Sequence, residues 1–150
     1  MFERMLVGID GSPHSPKVLA AARDLAVKSG SAVLVAHIRD IALPLAMAAT
    51  AGRPGALPRR EMPPLEDEEA ARQLVEDALA VFREAGVQDA KGQVGSGWGA
   101  TAKELLNLAD EFGANVIVVG SHGSQVAQIL LGSVAYRIVH QAACPVLVVR

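Results

Sequence analysis

The chain has 150 residues, 51% of them apolar and 20% charged, with a formal net charge of −2. That length suits one domain spanning residues 1–150, and the near-neutral balance offers no basic face for sequence-independent nucleic-acid binding. The single cysteine, Cys144, excludes an intramolecular disulfide and a cysteine-rich zinc site, and the uncharged run Ile41 to Gly52 falls well short of the roughly 20 residues that span a bilayer.

In chain order, Met5–Ile9 is a short apolar run of the kind that forms a strand covered on both faces. Ser15 then offers an N-cap with Pro16 at the first helical position, and Val18, Leu19, Ala22, Leu25 and Ala26 line one helix face before Gly30 stops it. Ala32–Ala36 is a second strand. Residues 39–65 break the rhythm, carrying Pro44, Pro54, Pro58, Pro63 and Pro64 with Gly52 and Gly55. A connection so long is expected to be a mobile flap or disordered. Asp67 opens a second helix with the stripe Ala71, Leu74, Val75, Ala78 and Phe82, ended by Gly86. A weaker strand signal covers Gln88 to Val94. Thr101 and Glu104 have capping-box spacing ahead of Leu105, Leu108, Ala109 and Phe112, with Gly113 as the stop. Val116–Val119 is the next strand. The last helix starts at Ser133 and must end before Cys144-Pro145, where Pro145–Val149 forms the final strand. This alternation predicts an α/β fold: an open parallel sheet with helices on both faces.

In such a sheet ligands bind beyond the carboxyl ends of the strands, where strand order reverses. After the first strand come Asp10, Gly11 and Ser12; after the second, His37 to Asp40; after the fourth, Gly120-Ser-His-Gly123 and a connection reaching Gly132-Ser133. Gly120 and Gly123 allow a ligand close to the backbone, and Gly132-Ser133 opens a helix whose first N–H groups form an anion site. Two such clusters flanking a cleft suit a polyphosphate, with Asp10 across from it to accept from an amine or a ribose hydroxyl. Asp10 serves equally well as an Asx cap, and Ser133 as a plain N-cap.

His37, ending an apolar strand, reads as a buried, hydrogen-bonded residue, and His14 and His140 as surface positions. His122 lies inside the glycine loop. Cys144 reads as a buried structural thiol, and the acidic run Glu66 to Glu69 as a complement to its helix N-terminus. Trp98 reads as packing over its loop, with stacking on a base as the alternative. Neither G-x-x-x-x-G-K-[ST] nor G-x-G-x-x-G after the first strand is present. No histidine pair has metal-ligand spacing, and no nucleophile with its base can be assembled.

Taken together, Met5-Leu-Val-Gly-Ile-Asp-Gly-Ser12, Val33-Leu-Val-Ala-His-Ile38, Ala114-Asn-Val-Ile-Val-Val-Gly-Ser-His-Gly123, Leu130-Leu-Gly-Ser-Val-Ala-Tyr-Arg-Ile-Val139 and Ala143-Cys-Pro-Val-Leu-Val-Val-Arg150 resemble the universal stress protein family along the whole chain. The resemblance implies a Rossmann-like, adenine nucleotide alpha hydrolase-like fold of five parallel strands in order 3-2-1-4-5, and homodimers joined through the last strand. It also implies ATP binding, with Mg²⁺, through a spaced glycine motif. Carried over by position, Gly120, Gly123, Gly132 and Ser133 match the phosphate-binding residues and Asp10 the acid near the adenosine. Ile38 and Val119 match the apolar nucleoside contacts, and Val134 the residue after the serine. Gly8 stands where some ATP-binding relatives have proline.

One departure stands out. Eight residues, Ser124 to Leu131, separate Gly123 from Gly132 where the motif has nine. A missing residue shifts an extended chain by about 3.3–3.6 Å, more than a hydrogen bond tolerates unless the spacer absorbs it. Two functions therefore stand side by side: a cytoplasmic ATP-binding stress-response regulator, and a dimeric interaction protein of the same fold that binds no nucleotide but engages a protein partner. Any hydrolysis is expected to be slow, since no general base is evident beside the phosphate site.

Overall fold

The computed structural model describes residues 1–41, 49–50, 52–55, 66–97, 99–121 and 131–150. Among the described residues the elements run β1 (Arg4–Gly8), α1 (Ser15–Ser29), β2 (Ala32–Asp40), α2 (Glu68–Glu84), β3 (Ala90–Gly97), α3 (Thr101–Phe112), β4 (Val116–Gly120), α4 (Ser133–Gln141) and β5 (Val146–Val149). The strands form one sheet in the order β3-β2-β1-β4-β5, every pairing parallel, as the sequence and the resemblance led us to expect.

The strand pleat sorts the core into two layers. Met5, Val7, Val33, Val35, Val116 and Val118 face α1 and α2, where Val18, Ala22, Leu79 and Phe82 meet them. Leu6, Leu34, Ile38, Ile117 and Val119 face Leu105 and Leu108 of α3 and Ala135 and Ile138 of α4. Fully burying each large side chain contributes about 1.5–3 kcal/mol.

Local starts and stops differ from the sequence expectations in four places. The N-cap of α1 is His14, not Ser15, because the Ser15 hydroxyl donates to Asp10 Oδ1 at 3.2 Å and is drawn away from its own helix. The N-cap of α3 is Ala100, and no side-chain cap bond forms there, so Thr101 and Glu104 make no capping box. Gly132, rather than Ser133, is the N-cap of α4. β3 lies two residues later than its weak signal and runs on to Gly97, because pairing with β2 from Val33↔Ala90 to Asp40↔Gly97 sets its register. The start of α2 agrees with expectation: the Asp67 side chain accepts from Glu69 N–H.

β2 also outruns its apolar core, so Arg39 and Asp40 belong to the strand and not to the proline-rich connection. Of that connection, residues 42–48, 51 and 56–65 lie outside the described residues. Among the described residues, no helix is long and apolar enough to cross a membrane.

Candidate functional site

Strand order reverses between β1 and β4, and a cavity of about 370 Å³ opens there, beyond the carboxyl ends of β1, β2 and β4. Asp10, Ile38, Val119 and Gly120 line it, and so do Gly132, Ser133 and Val134 from the start of α4. Gly123 and His122 lie outside the described residues, as does Trp98.

The cavity has two chemically distinct ends. At the apolar end, Ile38, Leu105 and Val119 come from the buried cluster beneath α3 and α4. Gly8 closes the floor of this end. A Cβ there would stand 3.1 Å from Val119 Cγ1 and 3.3 Å from Leu105 Cδ1, so any side chain must push one of them. Thr101 lines the same side, its backbone N within 3.5 Å of where a Cβ on Gly97 would stand, with Ile38 Cγ2 at 3.2 Å.

The polar end is built from helix starts and a turn. The first intrahelical bond of α4 runs from Tyr136 N–H to the Gly132 carbonyl at 2.9 Å. The N–H groups of Ser133, Val134 and Ala135 therefore have no acceptor within the helix, and they point toward an anion placed before it. Gly132 N–H donates to the Ser121 carbonyl at 2.7 Å, and Ser121 N–H to the Val149 carbonyl at 2.7 Å. The two ends of the glycine connection are thus tied to each other and to the last strand.

Asp10 divides its carboxylate. Oδ1 accepts from Ser12 N–H at 2.9 Å and from the Ser15 hydroxyl at 3.2 Å, an Asx turn that shapes the β1–α1 loop. Oδ2 takes no hydrogen bond from a described residue. The cap reading and the acid reading are therefore compatible, each using a different oxygen.

Behind this wall His37 is buried, as expected of it, and fully engaged. Its Nδ1 lies 2.9 Å from the Ile9 carbonyl and its Nε2 2.6 Å from Glu66 Oε1. Arg39 holds the Glu66 carbonyl through Nε at 3.2 Å and Nη2 at 2.6 Å. The acidic run before α2 thus does more than complement a helix end.

The whole chain, residues 1–150, matches the family model described as the universal stress protein family. The universal stress protein YxiE of Bacillus subtilis is 35% identical over 156 residues, covering 100% of both chains.

The chain belongs to the universal stress protein family.

Two solved structures share the fold. One is the hypothetical protein MJ0577, at 22% identity and a TM-score of 0.76, covering 99% of this chain and 96% of that one. The other is the universal stress protein from Archaeoglobus fulgidus in complex with dAMP, at 22% identity and a TM-score of 0.66, covering 99% and 98%.

Several cavity residues of this universal stress protein escaped the sequence reading. His14, read as a surface position, is half-buried at the cavity wall, where it is the N-cap residue of α1. Thr101 and Leu105 read only as a cap and a core position. Ser12 accepts from His14 N–H at 3.3 Å, and Ser15 also faces the cavity; the Asp10-x-Ser12-x-x-Ser15 spacing was the available signal. His140 is exposed as expected, with Nδ1 2.9 Å from the Tyr136 carbonyl. Cys144 is only half-buried, packed against the α3–α4 side of the core.

Proposed function

We propose that this universal stress protein binds ATP in the switch-point cavity and acts as a cytoplasmic stress-response regulator through nucleotide occupancy and homodimerisation. The observation that carries the reading is the pairing of an apolar end (Ile38, Leu105 and Val119) with a polar end formed by the first N–H groups of α4, which have no acceptor within the helix. A purine fits the first chemistry and a phosphate chain the second. Asp10, whose Oδ2 takes no hydrogen bond from a described residue, supplies an acceptor for a ribose hydroxyl or an amine. The dAMP complex of the Archaeoglobus fulgidus relative supports an adenine nucleotide in particular.

The eight-residue spacer bears on the phosphate end. The Gly132–Ser121 hydrogen bond supports the view that the shortening is absorbed between the glycines, with Gly120 and Gly132 left at the cavity. Gly123 is the remaining member of the proposed phosphate site. Among the described residues no group of three histidine, cysteine or acidic side chains could hold a metal, so Mg²⁺ would arrive on the phosphates and be held chiefly by them. The protein supplies binding and orientation; hydrolysis, where it occurs, is slow.

The dimer reading rests on β5, an edge strand whose Leu147 is 38% exposed, and on α4, which packs on the other face of the sheet and exposes Tyr136 and Val139 at 53% and 43%. An uncharged apolar edge of this kind invites pairing with a second copy.

Isothermal calorimetry on nucleotide-stripped protein, with ATP and Mg²⁺ and with Asp10→Ala alongside, tests the nucleotide. The expected result is saturable binding near one ATP per chain, weakened in the variant. A folded sample that gives no heat up to millimolar ATP, at two temperatures, would overturn the nucleotide reading and turn the search to the alternative, a dimeric interaction protein of the same fold that works through a protein partner.

A further inference from the structure

The contacts of His37 allow a proton count. A backbone carbonyl can only accept, so His37 Nδ1 carries a hydrogen and donates it to Ile9 at 2.9 Å. A carboxylate also only accepts, so the 2.6 Å contact between Nε2 and Glu66 Oε1 needs one further proton, on the ring or on the acid. His37 is 4% exposed, so water cannot readily replace either partner. Both ring nitrogens are thereby committed, one to the β1 exit and the other to the residue two before α2.

The β1 exit is the cavity wall. Ile9 lines the cavity, as does Asp10 after it, and Ile38, the residue after His37, lines it from β2. Ile9 is held twice, its N–H donating to the Ala36 carbonyl at 3.0 Å and its carbonyl accepting from His37. The His37 ring thus stands between Glu66 and the turn that presents Asp10. Glu66 is otherwise anchored through its backbone carbonyl by Arg39, whose Nη1 also lies 3.7 Å from Glu68 Oε2. Removing the Glu66 side chain therefore cuts the link to His37 without releasing the backbone of residue 66.

We infer that His37 and Glu66 are positioning residues for the cavity: the pair holds the Ile9–Asp10 wall in its ligand-ready geometry and ties ligand affinity to the docking of the chain at the start of α2. The inference rests on the nucleotide reading for its ligand. Its physical basis is linkage. A wall already ordered by the pair costs less to order when a ligand binds, and the ligand in turn strengthens the pair.

The test uses Glu66→Ala and Glu66→Gln in the full chain, with Mg-ATP as the probe. A glutamine NH₂ can donate to Nε2 of a neutral imidazole that keeps its Nδ1 hydrogen, so it restores the contact without the extra proton. Glu66→Ala is expected to weaken ATP binding roughly 3- to 30-fold, while Glu66→Gln stays within about 2-fold of the parent. Nitrogen-15 spectra provide a readout independent of ligand. In Glu66→Ala the His37 ring signals and the amides of Ile9 to Ser12 should move; in Glu66→Gln the ring should show the Nδ1–H tautomer and those amides should stay near their parent positions. Parent affinity in a folded Glu66→Ala overturns the inference and leaves the nucleotide reading standing. If the parent binds no ATP, the nucleotide reading fails instead. The spectra then decide the positioning role, and unmoved Ile9–Ser12 amides in Glu66→Ala overturn it.

Discussion

Gly132 donates its N–H to the carbonyl oxygen of Ser121 at 2.7 Å, so the chain leaving β4 and the chain entering α4 touch before the helix begins. The φ of Gly132 is −60°, which proline can adopt. Gly132→Pro therefore removes the donor, while its ring also takes up room at the phosphate end of the cavity and restricts Leu131. We expect it to cost about 1 kcal/mol in urea denaturation and to weaken ATP binding; an unchanged midpoint would show that the bond does not hold the connection.

Ser133 is the first residue of α4, where an acid favours the helix dipole and disfavours an anionic ligand. Ser133→Asp should raise the stability of the free protein by about 0.3–1 kcal/mol and abolish ATP binding in calorimetry. Opposite signs in the two measurements are the signature. A loss of both would point to misfolding of the helix start.

Leu147 sits on β5 with 38% of its surface exposed. Leu147→Lys places a charge on the proposed dimer edge at little cost to the monomer. Sedimentation should shift from a dimer toward the 15.6 kDa chain. A parent protein that sediments only as a monomer at micromolar concentration would remove the dimer from the proposed function.

Gly92 in β3 lies under α2. A Cβ there would collide with Val75 Cγ1 and stand 2.9 Å from Leu79 Cδ1. Gly92→Ala should destabilise the fold by about 1–3 kcal/mol in thermal or urea unfolding. A neutral effect would mean that α2 can lift from the strand.

Burial, and then the carboxylate of Asp110, push the Cys144 thiol above its ordinary value of 9.0. The folded chain therefore holds this proton more tightly than the unfolded chain does. Stability from this source is complete at neutral pH and declines as pH rises past 9. Cys144→Ser should flatten that decline in urea midpoints measured between neutral and alkaline pH, and Asp110→Asn should speed alkylation of the thiol.

The strands were legible wherever local chemistry was one-sided. Val116–Val119 and Pro145–Val149 read as strands because β-branched runs admit few alternatives, and the strands form at Val116–Gly120 and Val146–Val149. β3 was faint because Gly92, Gly95 and Gly97 carry no side-chain signal, and their purpose, close approach by α2 and Ile38, is visible only across the fold. The N-caps were misread by one residue at Ser15, Thr101 and Ser133, since a hydroxyl can cap its own helix or serve a neighbour. At Ser15 it serves Asp10.

By itself the sequence determined the alternation of elements, the parallel sheet, and the turn residues Asp10, Gly120, Gly132 and Ser133 that follow strands or open helices. These depend on period and local conformational preference, which each segment carries within itself. Only the tertiary structure decided that Thr101, Leu105 and His14 join one cavity, and that His37 meets Glu66 across 29 positions. Such contacts depend on how strands and helices pack over long separations, and no single segment holds that information.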